Sequence, residues 1–309
     1  MQGNLRPLSL WTCPPELDCV SLSERFFGGQ AVSLEVFLAV LGAAFLHAFW
    51  NALIKTGTSR QSSMLLLTLG HAAVGACVAA TKPFPVAEAW PWLIGSGLIH
   101  MTYQLFLAYA YEHGDLSRVY PIARGAAPMI VTVVGAIFLA DQMGTNDYLG
   151  VIVLGLGIAI MARGVFASGE SRRMLPYALG SACATAGYSM ADGLGARVLG
   201  DAVAYVAWLM MLSALFYTPA ALALRGTVLL RVPLRAWGIG AVAAGASFGA
   251  YAIAVWAMTL APIALVAALR ETSILFAVLI GWLIFGEKMD RTKALAATVI
   301  VAGVLLTRL

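Results

Sequence analysis

A charged pair, Arg270 and Glu271, lies in the middle of an apolar run that is long enough to cross a membrane. A helix that begins near Pro262 would place Arg270 about 12 Å below the end of the span. A charge at that depth costs roughly 2.5–3.5 kcal/mol on insertion scales, so it normally faces a bundle interior, a partner or a water-filled cavity. The pair is therefore the first candidate for function.

The same pattern occurs earlier in the chain. A shift of 146 residues places Arg270 on Arg124 and Glu287 on Asp141. In both copies an arginine precedes an apolar run, and an acidic residue follows that run. This spacing indicates an internal duplication.

The two arginines suggest anion binding, because a guanidinium offers forked donors that suit a carboxylate or a phosphoryl-type oxygen. Glu271, a carboxyl group in poorly hydrated surroundings, is a candidate for proton coupling. Neighbouring residues on a helix point about 100° apart, so Arg270 and Glu271 do not face one partner squarely. The alternative is structural: each arginine binds carbonyl groups or a carboxylate and only holds helices together.

Further candidates lie on helix faces that are polar and aromatic where lipid would favour leucine. His47, Trp50 and Asn51 share one face of the first run by their spacing. We expect them to line a cavity, although hydrogen bonds to neighbouring helices are the alternative. The other candidates for solute binding are Tyr103, Tyr120 near Arg124, and Tyr188, which a shift of 138 residues places on Trp50.

Several other polar residues receive structural interpretations. Asp192 is predicted to pair with Arg197, with direct work in transport as the alternative. His71 is predicted to be an interior histidine whose hydrogen bonds are satisfied. Gly245 and Gly249 form a GxxxG pattern, which permits close helix contact within the chain or between subunits.

Composition sets the class of protein. The chain has 309 residues, of which 61% are hydrophobic and 11% are charged, so its apolar surface exceeds what a soluble fold of this size buries. The apolar runs are continuous rather than alternating, which favours helices over strands. Ten of them are long enough to span a bilayer: about 34–54, 62–81, 89–111, 117–139, 147–162, 174–196, 201–223, 235–258, 261–285 and 292–307.

The domain organisation follows from these runs. Residues 1–32 contain prolines but no sustained apolar run and are predicted to be a disordered tail. The first five-helix repeat is predicted over 33–165, a polar linker over 166–173, and the second repeat over 174–309. Because five spans is an odd number, the second repeat must enter the membrane in the opposite direction, as in many secondary transporters.

Three segments are similar to the EamA family of the drug/metabolite transporter superfamily: AYEHGDLSRVYPIARGAAP with Asp141 beyond it, ALRETSILFAVLIGWLIFGEKM, and HAFWNALIK. The resemblance covers about residues 34–309. It implies an all-α membrane protein with ten helices in two inverted repeats, a central cavity and alternating-access transport, often export. One departure is Asp141-Gln142, where the family usually shows Glu followed by a basic residue.

Membrane orientation has two readings. Twelve lysines and arginines fall in the odd-numbered loops and five on the other side, which by the positive-inside rule places the odd loops in the cytoplasm and both termini outside. The resemblance to ten-helix transporters favours cytoplasmic termini instead.

Taken together, these patterns predict a secondary transporter of a small metabolite, such as an amino acid or organic acid, in the bacterial inner membrane. Its expected partners are the solute and the lipid bilayer, with proton coupling, and it is expected to be a monomer or homodimer without a cofactor or nucleic acid. No Walker loop, HExxH, CxxC or Asp-rich diphosphate motif supports an enzyme. The alternatives are a lipid-linked metabolite flippase and a non-transporting sensor or assembly protein.

Overall fold

The computed structural model describes residues 32–55, 59–113, 116–139, 141, 143–167, 173–284, 286, 289 and 291–308. The predicted tail lies outside the described residues except for Val32, as does most of the predicted linker. The backbone of Tyr120 and Arg124 lies in a helix, but their side chains also lie outside the described residues.

Eleven α-helices make up the described residues, and no strand occurs among them. Two short 3₁₀ turns, Ala87–Ala89 and Thr227–Leu230, lie between helices. The helices are α1 (Leu34–Lys55), α2 (Arg60–Ala79), α3 (Trp90–His113), α4 (Leu116–Phe138), α5 (Thr145–Ala167), α6 (Met174–Leu199), α7 (Ala202–Arg225), α8 (Leu234–Leu260), α9 (Ile263–Arg270), α10 (Ser273–Leu283) and α11 (Arg291–Leu306).

The apolar run that contains the charged pair is interrupted at Glu271 and Thr272, between α9 and α10. The Glu271 amide donates to Ala268 O (3.0 Å), and the Thr272 amide donates to Leu269 O (3.1 Å). The Thr272 hydroxyl also donates to Leu269 O (2.7 Å). Hydrogen bonds to the carbonyl three residues earlier are those of a 3₁₀ turn, which is tighter than an α-helix. The Thr272 hydroxyl favours this turn because it competes for a backbone carbonyl. The expected continuous helix is therefore two half-helices, with the charged pair at their junction.

The surface of the bundle is apolar, as a lipid environment requires. Large side chains such as Phe138, Leu215 and Leu234 are exposed, and a soluble monomer rarely shows so much apolar surface. Five segments of the described chain are long and apolar enough to cross a membrane, and α9 with α10 counts as one of them. The prediction of an all-α membrane protein is confirmed.

Helix pairing is symmetric between the two halves of the chain. Helix α3 packs against α6, and the equivalent helix α8 packs against α1. Likewise α4 packs against α6, while the half-helices α9 and α10 pack against α1. Helices α2 and α7 pair with each other, as do α5 and α11. This exchange symmetry agrees with the duplication that the sequence indicates.

Close helix contact occurs at other glycines than the predicted GxxxG pair. A Cβ atom at Gly245 would meet nothing within 4 Å, and one at Gly249 would meet only Leu46 Cδ1 at 3.8 Å. A Cβ atom at Gly303 of α11 would instead lie 2.5 Å from Leu154 N of α5. Within the described chain, the absence of a side chain therefore matters at the α5–α11 contact.

We predict opposite effects for alanine at two glycines. Gly303→Ala forces α5 and α11 apart and should destabilise the protein by about 1–3 kcal/mol, as overpacking does. Gly245→Ala meets open space and should be neutral or stabilising by up to about 1 kcal/mol, because alanine favours helix. Thermal unfolding of both variants in detergent measures the difference. Equal midpoints would contradict the close α5–α11 contact.

Candidate functional site

A central cavity with a volume of about 50 Å³ lies among helices of both halves. Its wall is mainly aromatic and histidine side chains, with one arginine. Helices α1, α2 and α3 of the first half and α6, α7, α8 and α9 of the second contribute to it. The described residues that line it are His47, Trp50, Met64, Leu67, His71, His100, Tyr103, Gln104, Tyr188, Met210, Ser247, Tyr251 and Arg270.

Five of the predicted site residues meet on this wall: His47, Trp50, Tyr103, Tyr188 and Arg270. The rings of His47 and Trp50 contact edge to face at 5.0 Å, and those of Tyr103 and Tyr188 at 5.4 Å. They come from α1, α3, α6 and α9, so helix packing brings together side chains that are far apart in the sequence. Their contact with a solute stays a prediction.

Arg270 is the cation of the cavity wall. Its side chain is buried, and its guanidinium lies 5.2 Å from the centre of the Tyr251 ring, a distance at which a cation is attracted to the face of an aromatic ring. In the described part of the chain it has neither an ion pair nor a hydrogen bond, although buried charges are normally paired. The guanidinium therefore has donors available for an anion.

Glu271 adjoins a second, smaller cavity with a volume of about 10 Å³. Arg270 lines both cavities. Glu271 is buried at the junction between α9 and α10, and the hydroxyl-bearing residues Thr185 and Ser189 of α6 lie on the same wall. The sequence predicts that the two side chains point in different directions. Both residues border the small cavity, and of the two Arg270 also lines the large one.

Three buried polar atoms on the wall of the large cavity lack a hydrogen-bond partner among the described residues. They are Trp50 Nε1, His71 Nε2 and Gln104 Oε1. The prediction that His71 is a satisfied interior histidine is therefore wrong for its Nε2. Buried polar atoms are nearly always paired in folded proteins, so these atoms, together with Arg270, mark the wall as a surface for a polar ligand.

Asp192 is fully buried beside the cavity and accepts hydrogen bonds from four side chains. Ser96 Oγ and Tyr205 OH (3.2 Å) donate to Oδ1. Tyr251 OH donates to Oδ2, and His100 Nε2 lies 3.0 Å from that oxygen. The predicted pair of Asp192 with Arg197 is wrong, because Asp192 points into the bundle, where hydroxyl groups and an imidazole satisfy its carboxylate.

Arg197 instead joins the two halves of the chain at one end of the bundle. Its guanidinium donates to both oxygens of Asp141, at 2.7 and 3.0 Å, and to Met258 O at 2.8 Å. Asp141 also accepts from the Ile263 amide at the start of α9 (2.9 Å). A bidentate arginine–carboxylate pair fixes orientation as well as distance, so the start of α9 is held against α6.

A second ion pair lies at the turn between α6 and α7. Lys82 Nζ lies 2.7 Å from Asp201 Oδ2, and Asp201 also caps α7 by accepting from the Ala204 amide (3.0 Å). Partial burial alone would raise the pKa of the Asp201 carboxyl, but Lys82 and the cap bond outweigh it, so its pKa lies below the ordinary value. Asp201 is therefore ionised at neutral pH.

Asn51 is not among the described residues that line the cavity. Its amide donates to His47 O one turn back on the same helix (2.7 Å), so neither its predicted cavity position nor a bond to a neighbouring helix is observed. Tyr120 and Arg124 cannot be placed, since their side chains lie outside the described residues.

Sequence reasoning missed the cluster around Asp192. Tyr205 is fully buried and bonds to the carboxylate. A signal for part of the cluster exists: Ser96, His100 and Gln104 follow at intervals of four on α3, which places them on one helix face. The partner that Ser96 and His100 share on α6, Asp192, is not visible in that spacing.

Comparison with known proteins gives one family and one fold. A family model described as the EamA-like transporter family matches residues 34–163 and 172–309. A solved structure named only "Crystal structure of protein" aligns with a TM-score of 0.67 and 18% sequence identity, over 91% of this chain and 99% of that one. At this identity the likeness shows the fold alone. No curated protein matches the chain.

We predict that Asp192→Ala destabilises the protein by about 3–5 kcal/mol, as removing one partner from a buried charged network does. Asp201→Ala, which removes a more exposed ion pair and one helix cap, should cost about 1 kcal/mol. Unfolding of both variants in detergent provides the comparison. An Asp192→Ala protein as stable as Asp201→Ala would show that the four donors are satisfied without the carboxylate.

Proposed function

The chain belongs to the EamA-like transporter family, and on that premise we propose that it moves a small anionic or zwitterionic metabolite across the membrane by alternating access. Amino acids and organic acids have the required chemistry. We further propose that the direction is export and that the membrane is the bacterial inner membrane, as is frequent for this family.

The observation that supports this proposal best is the buried guanidinium of Arg270. It lies on the wall of a cavity that helices of both halves form, and it makes no ion pair with a described residue. A guanidinium binds carboxylate and phosphoryl groups through two parallel hydrogen bonds. The simplest ligand that satisfies it is a solute with a carboxylate.

The rest of the wall suits an organic solute. Aromatic rings of Trp50, Tyr103, Tyr188 and Tyr251 offer apolar faces, while Trp50 Nε1 and Gln104 Oε1 offer an unpartnered donor and acceptor. Ligand sites commonly combine a mostly apolar wall with a few well-placed polar groups. Both charge and shape therefore point to a carboxylate-bearing metabolite rather than a free inorganic ion.

Two alternatives fit less well. A non-transporting sensor or assembly protein, in which buried charges only fix helix register, predicts a fully packed interior, and the central cavity argues against it. An enzyme is disfavoured because the family consists of transporters.

Exchange in proteoliposomes tests the proposal with labelled phenylalanine, glutamate and succinate. We expect saturable exchange of at least one of the three, because each has a carboxylate for Arg270. Arg270→Gln should raise the solute concentration that gives half-maximal exchange by about 10- to 100-fold, the loss of affinity expected for a hydrogen bond to a charged group. Phenethylamine, which lacks the carboxylate of phenylalanine, should not compete.

A matched control is Arg225→Gln. Arg225 pairs with Glu112 at 2.7 Å at the end of α7 and does not line the cavity, so its loss removes the same charge without touching the proposed site. Wild-type exchange by Arg270→Gln would refute the role of this arginine. A folded wild-type protein that exchanges none of the three solutes would refute the proposed solute class.

A further inference from the structure

We propose that the buried pair Asp192–His100 is a proton-binding site that couples a proton to the solute in the central cavity. This inference rests on the proposed function and deepens it. The sequence predicts that Glu271 takes up the proton. The present proposal instead places the proton between α3 and α6, beside the large cavity.

The geometry of the pair supports proton binding. His100 Nε2 lies 3.0 Å from Asp192 Oδ2, and both side chains are buried. Among the described residues, His100 is the one basic group within ion-pair distance of this carboxylate. Imidazole is the side chain whose charge ordinarily changes between about pH 5 and pH 8. One proton therefore changes the pair from a net charge of −1 to a neutral imidazolium–carboxylate pair.

A route for the proton exists, because the two partners differ in their access to the cavity. His100 lines the large cavity, whereas Asp192 does not and is fully buried. The ring of His100 also stacks on Tyr188, with ring centres 4.1 Å apart. The imidazole can therefore exchange a proton with the cavity while its Nε2 stays in contact with the carboxylate.

Tyr251 connects this pair to the proposed solute site. Its hydroxyl donates to Asp192 Oδ2, its ring contacts His100 edge to face at 5.5 Å, and the Arg270 guanidinium lies 5.2 Å from the ring centre. The net charge of the pair is therefore felt at Arg270, since charges interact strongly in a poorly hydrated interior.

The sign of the coupling follows from these charges. Without the proton, the pair is negative and repels a solute carboxylate that approaches Arg270. With the proton it is neutral, so solute and proton favour each other's binding. Linkage of this kind is reciprocal, and it predicts that the two move in the same direction. Export of the solute down its own gradient would therefore carry a proton out with it.

Other polar and ionisable groups surround the pair, and several belong to neighbouring helices. Ser96 and Tyr103 lie on α3, and His71 on α2 lines the same cavity, while Glu271 faces the second one. The side chain of Arg124 on α4, which packs against α6, lies outside the described residues. The groups in contact with the pair or its ring neighbours are Ser96, Tyr103, Tyr188, Tyr205, Tyr251 and, through Tyr251, Arg270.

Accumulation of labelled phenylalanine, glutamate or succinate in proteoliposomes tests the coupling. The membrane potential is clamped at zero. A gradient of one pH unit should make the wild type accumulate an exchanged probe about tenfold on the alkaline side, the equilibrium for one proton per solute. Asp192→Asn and His100→Gln should still exchange the probe but not accumulate it. Arg225→Gln, which removes a charge outside the cavity and no group in contact with the pair, should accumulate it normally.

The outcomes separate the two proposals. If the wild type exchanges none of the three probes, the proposed function fails and the coupling fails with it. If the wild type exchanges a probe and both variants still accumulate it, only the proton site is overturned. The same holds if Glu271→Gln alone abolishes accumulation, because Glu271 would then hold the proton.

A second measurement needs neither a solute nor a change to the pair. His100 is one of four histidines, so replacing His47, His71 and His113 by glutamine leaves it as the sole imidazole. Infrared difference spectra of this protein in lipid, with isotope-labelled histidine, should show imidazolium bands appearing as the pH is lowered. Spectra without such bands in the folded protein would overturn the proposal.

Discussion

The buried carboxylate of Asp192 is the constraint on which the centre of this bundle depends. A carboxylate away from water is stable only if hydrogen bonds replace its hydration. Here side chains of α3, α7 and α8 converge on α6 to supply them. This requirement fixes the mutual rotation of four helices, and two of the rings that contact the carboxylate, those of His100 and Tyr251, also line the cavity.

The interrupted segment α9–α10 solves a related problem for Arg270. The helix is interrupted at Glu271 and Thr272, and at this junction Arg270 borders both cavities while Glu271 borders the small one. Discontinuous helices near the middle of a membrane are a recurring way in which transporters place charged and polar groups at a binding site. Asp141 and Arg197 hold the start of α9 in place, so Arg270 has a fixed position beside the cavity.

The duplication supplies the framework, but the chemistry of the two halves differs. Helix pairing is symmetric, yet the shift that places Tyr188 on Trp50 places Asp192 on Ile54. The buried carboxylate therefore has no acidic counterpart in the first half. A symmetric scaffold with an asymmetric site gives the two sides of the cavity different affinities for charge, which a coupled transporter can use.

Much of this protein could be predicted from its sequence. Continuous apolar runs of spanning length determine an all-α membrane fold, because unpaired backbone groups are too costly in lipid for other structures, and the repeated arginine and acidic residues reveal the duplication. The cost of burying a charge likewise identifies Arg270. The partner of Asp192 was beyond the sequence: Arg197 is its near neighbour on the same helix, but His100, Tyr205 and Tyr251 meet it only after the helices pack. The break at Glu271 was equally hidden, since an apolar run of spanning length predicts a continuous helix and does not show that the Thr272 hydroxyl bonds to Leu269 O.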